Sequence, residues 1–256
     1  MSGIVERRVA IEGGAILTDG SESGNAAIAY YLAHRELEAP TPAAGQAAVD
    51  KGRGGAFFLE IASRRWVARP YRRGGLVAIV SRDRYLWTVE ERVRSFREWR
   101  TLAALRALAL PVPRPIAARY RRDRWSYRAD LITERIENAE PFSARLERET
   151  VSLTIWMAIG RCLRRLHDAG AYHADLNAHN LLIDANDAIY VVDFDRGAVR
   201  SAGAWRDANL ARLYRSLRKI SVTLPADRFS LTEWEALLAA YRCLSTASND
   251  EARGAA

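Results

Sequence analysis

Lysine is nearly absent from this chain. Only Lys51 and Lys219 occur among 39 Lys plus Arg residues, so the formal net charge of +8 is carried by arginine. The planar guanidinium fork suits bidentate contact with phosphate or carboxylate, and the surplus points to an anionic partner. Cysteine is scarce too. Cys162 and Cys243 stand alone, without CxxC or zinc-ligand spacing, which excludes a disulfide scaffold and a cysteine-rich metal site and suits a reducing cytoplasm. No apolar run reaches the ~18 residues of a membrane span. The opening MSGIVERRVAIEGG has no signal-peptide core, so no secretory leader is expected. What remains is ordinary for a globular protein: 256 residues with 49% hydrophobic and 27% charged content, enough for one core or two small lobes.

The informative stretch is Tyr172–Arg196, YHADLNAHNLLIDANDAIYVVDFDR. It holds His173-x-Asp175-x-x-x-x-Asn180 and, further on, Asp193-Phe194-Asp195. Between them lie two short apolar runs, Leu181–Ile183 and Ile189–Val192, parted by the turn formers Asp184, Asn186 and Asp187. The pattern predicts loop, strand, turn, strand, with polar groups displayed at both ends of a hairpin. Phosphoryl transfer needs such a set: a carboxylate to orient the attacking hydroxyl, and oxygen ligands to hold Mg²⁺ and the phosphates still. Asp175 is the candidate catalytic base, and Asn180 and Asp193 are the candidate Mg²⁺ ligands. His173 is read as a brace for the loop backbone. Asp195 is a candidate metal or substrate contact; Asn177, His179 and Arg196 are further substrate candidates.

Upstream, Gly52, Gly54 and Gly55 form a glycine-rich turn before the strand Ala56–Ile61, placed to cover ATP with backbone N–H groups. Ser63–Arg65 reads as a turn and Trp66–Tyr71 as the next strand. Arg69 takes the position where kinases carry the phosphate-binding lysine. Arg84–Leu108 reads as one long helix. Its Glu98 shares a stripe with Leu102 and Leu105 and is paired with Arg69. Glu134 and Ile136 are expected to offer backbone groups to adenine. Arg72 and Arg73 are basic candidates for the acceptor, with Arg121 and Arg122 beyond them.

Around these, Val9–Leu17 reads as a strand and Asn25–Glu38 as a short helix. Val151–Ala169 is a helix leading into the catalytic loop. Asn209–Ile220 is a helix with Arg212, Arg215, Arg218 and Lys219 on its outer face, and Ser230 with Glu233 forms a capping box opening the last helix. The division falls near residue 138: a nucleotide-binding lobe over 1–138 and a catalytic and acceptor-binding lobe over 139–256.

The stretches RRGGL, DRYLW, FREWRTLAALRALALPVPRP, HADLNAHNLLID, DFDRG and RLYRSLRK together resemble the 3-deoxy-D-manno-octulosonic acid (Kdo) kinase family of lipopolysaccharide inner-core synthesis, within the protein-kinase-like superfamily. Protein kinases usually carry Arg after the His of this motif and Lys two places after its Asp; here those places hold Ala174 and Asn177. The resemblance runs from about Gly52 to Lys219. It implies an α+β, two-lobed kinase-like fold: a small antiparallel sheet lobe with one long helix, then a mainly helical lobe. It also implies ATP-dependent phosphorylation of the 4-hydroxyl of Kdo on a lipid A precursor, and a peripheral place on the cytoplasmic face of the inner membrane. No nucleic-acid partner is expected. Two rivals stay open: a kinase-like enzyme for another acceptor, protein or antibiotic, and a non-catalytic nucleotide-binding scaffold.

Overall fold

The computed structural model describes residues 3–20, 32, 56–61, 64–71, 84–225 and 227–243. The fold is α+β. The chain divides into two compact units, 1–137 with 193–198, and 138–192 with 199–256. The return of Asp193–Ala198 to the first unit breaks a simple division at one point of the chain.

The first unit is built on an antiparallel sheet. Its strands are β1 (Glu6–Ile11), β2 (Gly14–Asp19), β3 (Phe57–Ile61), β4 (Arg64–Pro70), β5 (Tyr85–Leu86), β6 (Pro115–Asp123) and β7 (Ser126–Glu134). They run in the order β1-β2-β6-β7-β4-β3, with β5 on β7. The single strand expected over Val9–Leu17 is two, because Gly13 at φ +69° turns the chain back on itself. Arg64 and Arg65, expected in a turn, already belong to β4. Alternation along β4 sends Trp66 and Ala68 into a cluster with Ile16, Leu32, Ile116 and Ile132, which leaves Arg69 for the opposite face. The buried cross-strand pair Arg119 and Asp130 is closed by a 2.8 Å hydrogen bond from Arg119 Nε, while Arg119 Nη1 donates to the Leu32 carbonyl.

The long helix expected over 84–108 is shorter. Tyr85–Leu86 pairs with β7, Glu90–Arg92 is one 3₁₀ turn, and helix α1 spans Arg94–Ala107. The aromatic and β-branched residues at 85–89 favour extended backbone, and packing holds it there: Tyr85 lies 5.5 Å from Tyr127 and Trp87 5.0 Å from Tyr120. The inner face of α1 carries Phe96, Glu98, Trp99, Leu102 and Leu105. Val89 is exposed, and Arg100 turns outward to Glu6.

The second unit is mainly helical: α2 (Phe142–Arg148), α3 (Leu153–Asp168), α4 (Trp205–Ser221) and α5 (Leu231–Arg242). Three short strands, β8 (Glu140–Pro141), β10 (Leu181–Ile183) and β11 (Ile189–Val191), form a small sheet, and β9 (Ala171–Tyr172) leads into the catalytic loop. The capping box at Ser230 and Glu233 is present. Helix α4 begins at Trp205, before Asn209, because the Trp205 indole donates to Ser201 O and packs edge-on to His167. Gly160 lets α3 and α5 touch, since a Cβ there would stand 2.2 Å from Leu237 O. Neither cysteine is in a disulfide; burial pushes the Cys162 thiol up to about 12.

His167 ends α3 in the core, with Nδ1 2.8 Å from Tyr241 Oη. Burial, with the charge of Arg206, holds its imidazole down to about 4. The unfolded chain binds this proton near pH 6.5, so the stabilisation is complete above that pH and lost as pH falls toward 4. Between pH 7.5 and 4 the wild type should lose about 3 kcal/mol more than His167→Gln in urea denaturation. Equal losses would contradict the assignment.

Candidate active site

The first unit contributes a knot of charge. Arg69 on β4 donates to Glu98 on α1 through Nη2 and to Asp193 through Nη1. Tyr71, two residues along from Arg69, donates its hydroxyl to the same Glu98 oxygen, and its ring lies 5.0 Å from the Arg69 guanidinium. Glu98 is 2% exposed. Burial pushes its carboxyl above the usual range, and the Arg69 charge opposes this. Burial and the neighbouring Glu98 charge also push the Tyr71 hydroxyl up. Asp193 is different: its side chain is 41% exposed and its backbone sits at φ +64°, so it presents oxygen to solvent while Phe194 anchors the segment in the core. The ion pair between Arg69 and Glu98 that the sequence suggests is therefore present, with Tyr71 and Asp193 added to it.

Asp195 has its own partner. Arg94, the first residue of α1, grips it through Nε at 3.0 Å and through Nη2. Arg94 also lies over the rings of Tyr85 (4.8 Å) and Tyr71 (5.5 Å). Asp195, a candidate metal or substrate contact, makes an ion pair with the first residue of α1. Arg196 is exposed. The Glu134 amide donates to Arg114 O, which leaves its carbonyl and the half-buried Ile136 as candidates for adenine. Arg122 is used locally, donating to Arg124 O and covering Trp87. Gly52, Gly54, Gly55, Arg72 and Arg73 lie outside the described residues, as does the helix expected over 25–38 apart from Leu32.

The second unit contributes the catalytic loop. The hairpin is present: Leu181–Ile183 pairs with Ile189–Val191, and Asp184 Oδ1 accepts from the amides of Asn186 and Ala188 across the turn. His173 is 2% exposed. Its Nδ1 accepts from the Asp175 amide at 3.1 Å, which assigns the proton to Nε2, 2.9 Å from Val192 O. It braces the loop backbone. Asn180 donates its amide nitrogen to Asp175 O, which leaves its side-chain oxygen as the atom able to meet a cation. Asn177, expected at the substrate, spends both ends inside the loop. Its oxygen caps the 3₁₀ turn Ala178–Asn180 by accepting from the amides of His179 and Asn180. Its nitrogen donates to Asp175 O and Oδ2. His179 is exposed, with Nδ1 2.7 Å from Ser143 Oγ. Asp175 remains open to solvent.

Helix α4 holds this loop, a tie with little local signature in the chain. Asn209 is buried and meets the His173 backbone twice, accepting from its N–H at 3.2 Å and donating to its carbonyl at 2.9 Å. Ser216 Oγ accepts from the Ala178 amide. Arg212 lies between them, with Nη1 3.6 Å from Asp175 Oδ1. One signal was available: Asn209 is a polar residue on the apolar side of an amphipathic helix, beside Leu210, Leu213 and Leu217. Among the described residues no cluster of three or more His, Cys, Asp or Glu side chains gathers to hold a metal. The Asp193 carboxylate of the first unit and the Asn180 side-chain oxygen of the second are each oxygen ligands of the kind a hard cation takes.

The lipopolysaccharide kinase (Kdo/WaaP) family matches residues 44–241. The chain belongs to this family. A 3-deoxy-D-manno-octulosonic acid kinase of Xanthomonas campestris pv. campestris (strain B100) is 48% identical over 170 residues, 66% of this chain and 68% of that protein. Proteins of the same name from Stenotrophomonas maltophilia (strain K279a) and Xanthomonas oryzae pv. oryzae (strain PXO99A) are also 48% identical, over 170 and 174 residues. The matched range of this kinase family contains Arg69, Glu98, Asp175, Asn180 and Asp193.

Removing one partner of a buried ion pair strands the other charge. Glu98→Ala should cost about 3–5 kcal/mol in urea denaturation. The apolar pair Arg69→Met with Glu98→Leu should recover much of that stability, because neither charge is then stranded. It should not recover nucleotide binding measured by calorimetry. A double variant that binds ATP normally would show the pair to be structural only.

Proposed function

We propose that this chain transfers the γ-phosphoryl group of ATP to the 4-hydroxyl of a Kdo residue on a lipid A precursor. The observation that carries this reading is Asp175: an exposed carboxylate on a braced loop, in a chain 48% identical over 170 residues to a protein named 3-deoxy-D-manno-octulosonic acid kinase. Asp175 orients the sugar hydroxyl and accepts its proton. The freed oxygen attacks the γ-phosphorus, the bond to the bridging oxygen breaks, and ADP leaves. Arg69, held by Glu98, binds the ATP phosphates in place of the usual lysine. Asp193 and the Asn180 side-chain oxygen are the residues that would hold Mg²⁺, and the ion would supply positive charge to neutralise the phosphates. The carbonyl of Glu134 and the amide of Ile136 would meet adenine.

The acceptor sits in a membrane, and we infer a peripheral place on the cytoplasmic face of the inner membrane. Among the described residues no helix is long and apolar enough to cross a bilayer. The exposed Arg215, Arg218 and Lys219 of α4 offer cations to an anionic lipid surface.

The test follows label from γ-³²P-ATP and Mg²⁺ into a Kdo–lipid A precursor. Wild-type protein should label the lipid. Asp175→Ala should lower the rate at least ~100-fold, in the range ascribed to a positioned general base, with an unchanged unfolding transition. A variant with a near-normal rate would remove Asp175 from its role. Label appearing only in added peptides would favour the protein-acceptor alternative, and ATP binding without transfer would favour the scaffold.

A further inference from the structure

We propose that Arg212 is a specificity-determining residue: it binds the carboxylate of a sugar-acid acceptor while Asp175 takes the proton from a hydroxyl of the same ring. The proposal rests on the kinase reading above and names the group by which that site selects its substrate.

The argument begins with three residues of α4 that face the catalytic loop in step. Asn209, Arg212 and Ser216 are spaced three and four apart, on one side of a helix. They meet His173, Asp175 and Ala178 in the same order. The outer two are ties. Asn209 makes two hydrogen bonds to the His173 backbone, and Ser216 accepts one from the Ala178 amide. The middle contact is of another kind. Arg212 Nη1 stands 3.6 Å from Asp175 Oδ1, beyond hydrogen-bond length. The two side chains are 46% and 67% exposed, where an ion pair adds little to folding. Loop geometry therefore does not require Arg212. Asn209, Ser216, His173 and Asn177 already fix the backbone, and Asn177 Nδ2 steadies the other Asp175 oxygen.

What the position supplies is a solvent-facing guanidinium beside the base. Such a group has five N–H donors in a planar fork, and its preferred ligand is a carboxylate or phosphate held by two parallel hydrogen bonds. A neutral sugar hydroxyl can accept one such N–H but cannot match the fork or its charge. A sugar acid does: its carboxylate on Arg212 sets the rotation of the ring and so decides which hydroxyl reaches Asp175. The acceptor would replace the loose contact between Arg212 and Asp175 with a paired one and leave the Asp175 carboxylate to the hydroxyl. Arg215, Arg218 and Lys219 share the helix, but no contact ties them to the loop in this way, which separates Arg212 from a generally basic face.

Steady-state kinetics on a soluble Kdo glycoside and its carboxyl methyl ester tests this. Wild-type protein should prefer the acid over the ester. Arg212→Ala should raise KM for the acid about 10- to 100-fold, the range of a charged hydrogen bond. It should leave KM for ATP unchanged and no longer distinguish acid from ester. Arg212→Lys, a point charge without the fork, should recover part of the preference. A variant that still prefers the acid as the wild type does would overturn the assignment. So would one whose kcat falls equally on both acceptors at unchanged KM, since Arg212 would then act only by placing Asp175. Wild-type protein that phosphorylates neither these acceptors nor the Kdo–lipid A precursor would overturn the kinase reading, and this assignment with it.

Discussion

The buried carboxylate of Glu98 is the constraint on which the first half of the site depends. A carboxylate on the inner face of a helix cannot stand alone in a low-dielectric core. Here it is met by Arg69 from β4 and by the hydroxyl of Tyr71. That demand fixes which way β4 faces, the height of α1 along the sheet, and the place of the only cation near Asp193 that comes from β4. The chain has two lysines, and neither occupies this position. Arginine keeps its charge when buried more readily than lysine does, and its fork can meet Glu98 and Asp193 at once through separate nitrogens. The absence of the usual lysine is therefore compatible with a working phosphate-binding cation.

A second constraint organises the loop around Asp175. Nearly every polar group there is spent on another. The His173 ring links the Asp175 amide to the Val192 carbonyl, Asn177 caps the turn, and Asn180 donates to Asp175 O. What this leaves over is small and specific: the Asp175 carboxylate, the Asn180 oxygen and the Arg212 guanidinium. The proposed mechanism uses these three as proton acceptor, metal ligand and anion receptor. This is pre-organisation of the kind that phosphoryl transfer rewards, because the protein's task is to place charges and not to react covalently.

Much of this was legible in the chain because it is local. The spacing His173-x-Asp175-x-x-x-x-Asn180, the turn formers at 184–187 and the Asp193-Phe194-Asp195 triplet specify a loop and hairpin without distant contacts. The pairing of Glu98 with Arg69 was legible from its position among Leu102 and Leu105. What was not legible is tertiary. Nothing local says that Arg94 captures Asp195, or that Asn177 turns inward to cap the loop. Arg212, an outer residue by helical pattern, comes to stand beside Asp175 because Asn209 and Ser216 bind the same loop. The helix over 84–108 was overread for a related reason. The 85–89 stretch keeps a helical apolar spacing, yet its aromatics find Tyr120 and Tyr127 and settle as a short strand and an irregular segment ahead of the 3₁₀ turn.

The central claim is that the phosphate ends on a sugar hydroxyl. The most direct measurement is ³¹P and ¹H nuclear magnetic resonance of the lipid recovered after incubation with the purified chain, ATP and Mg²⁺. The account predicts one new phosphomonoester resonance, coupled to the proton at the 4-position of Kdo. Stoichiometric ADP and free phosphate with unmodified lipid, or a phosphoester on another part of the acceptor, would contradict it.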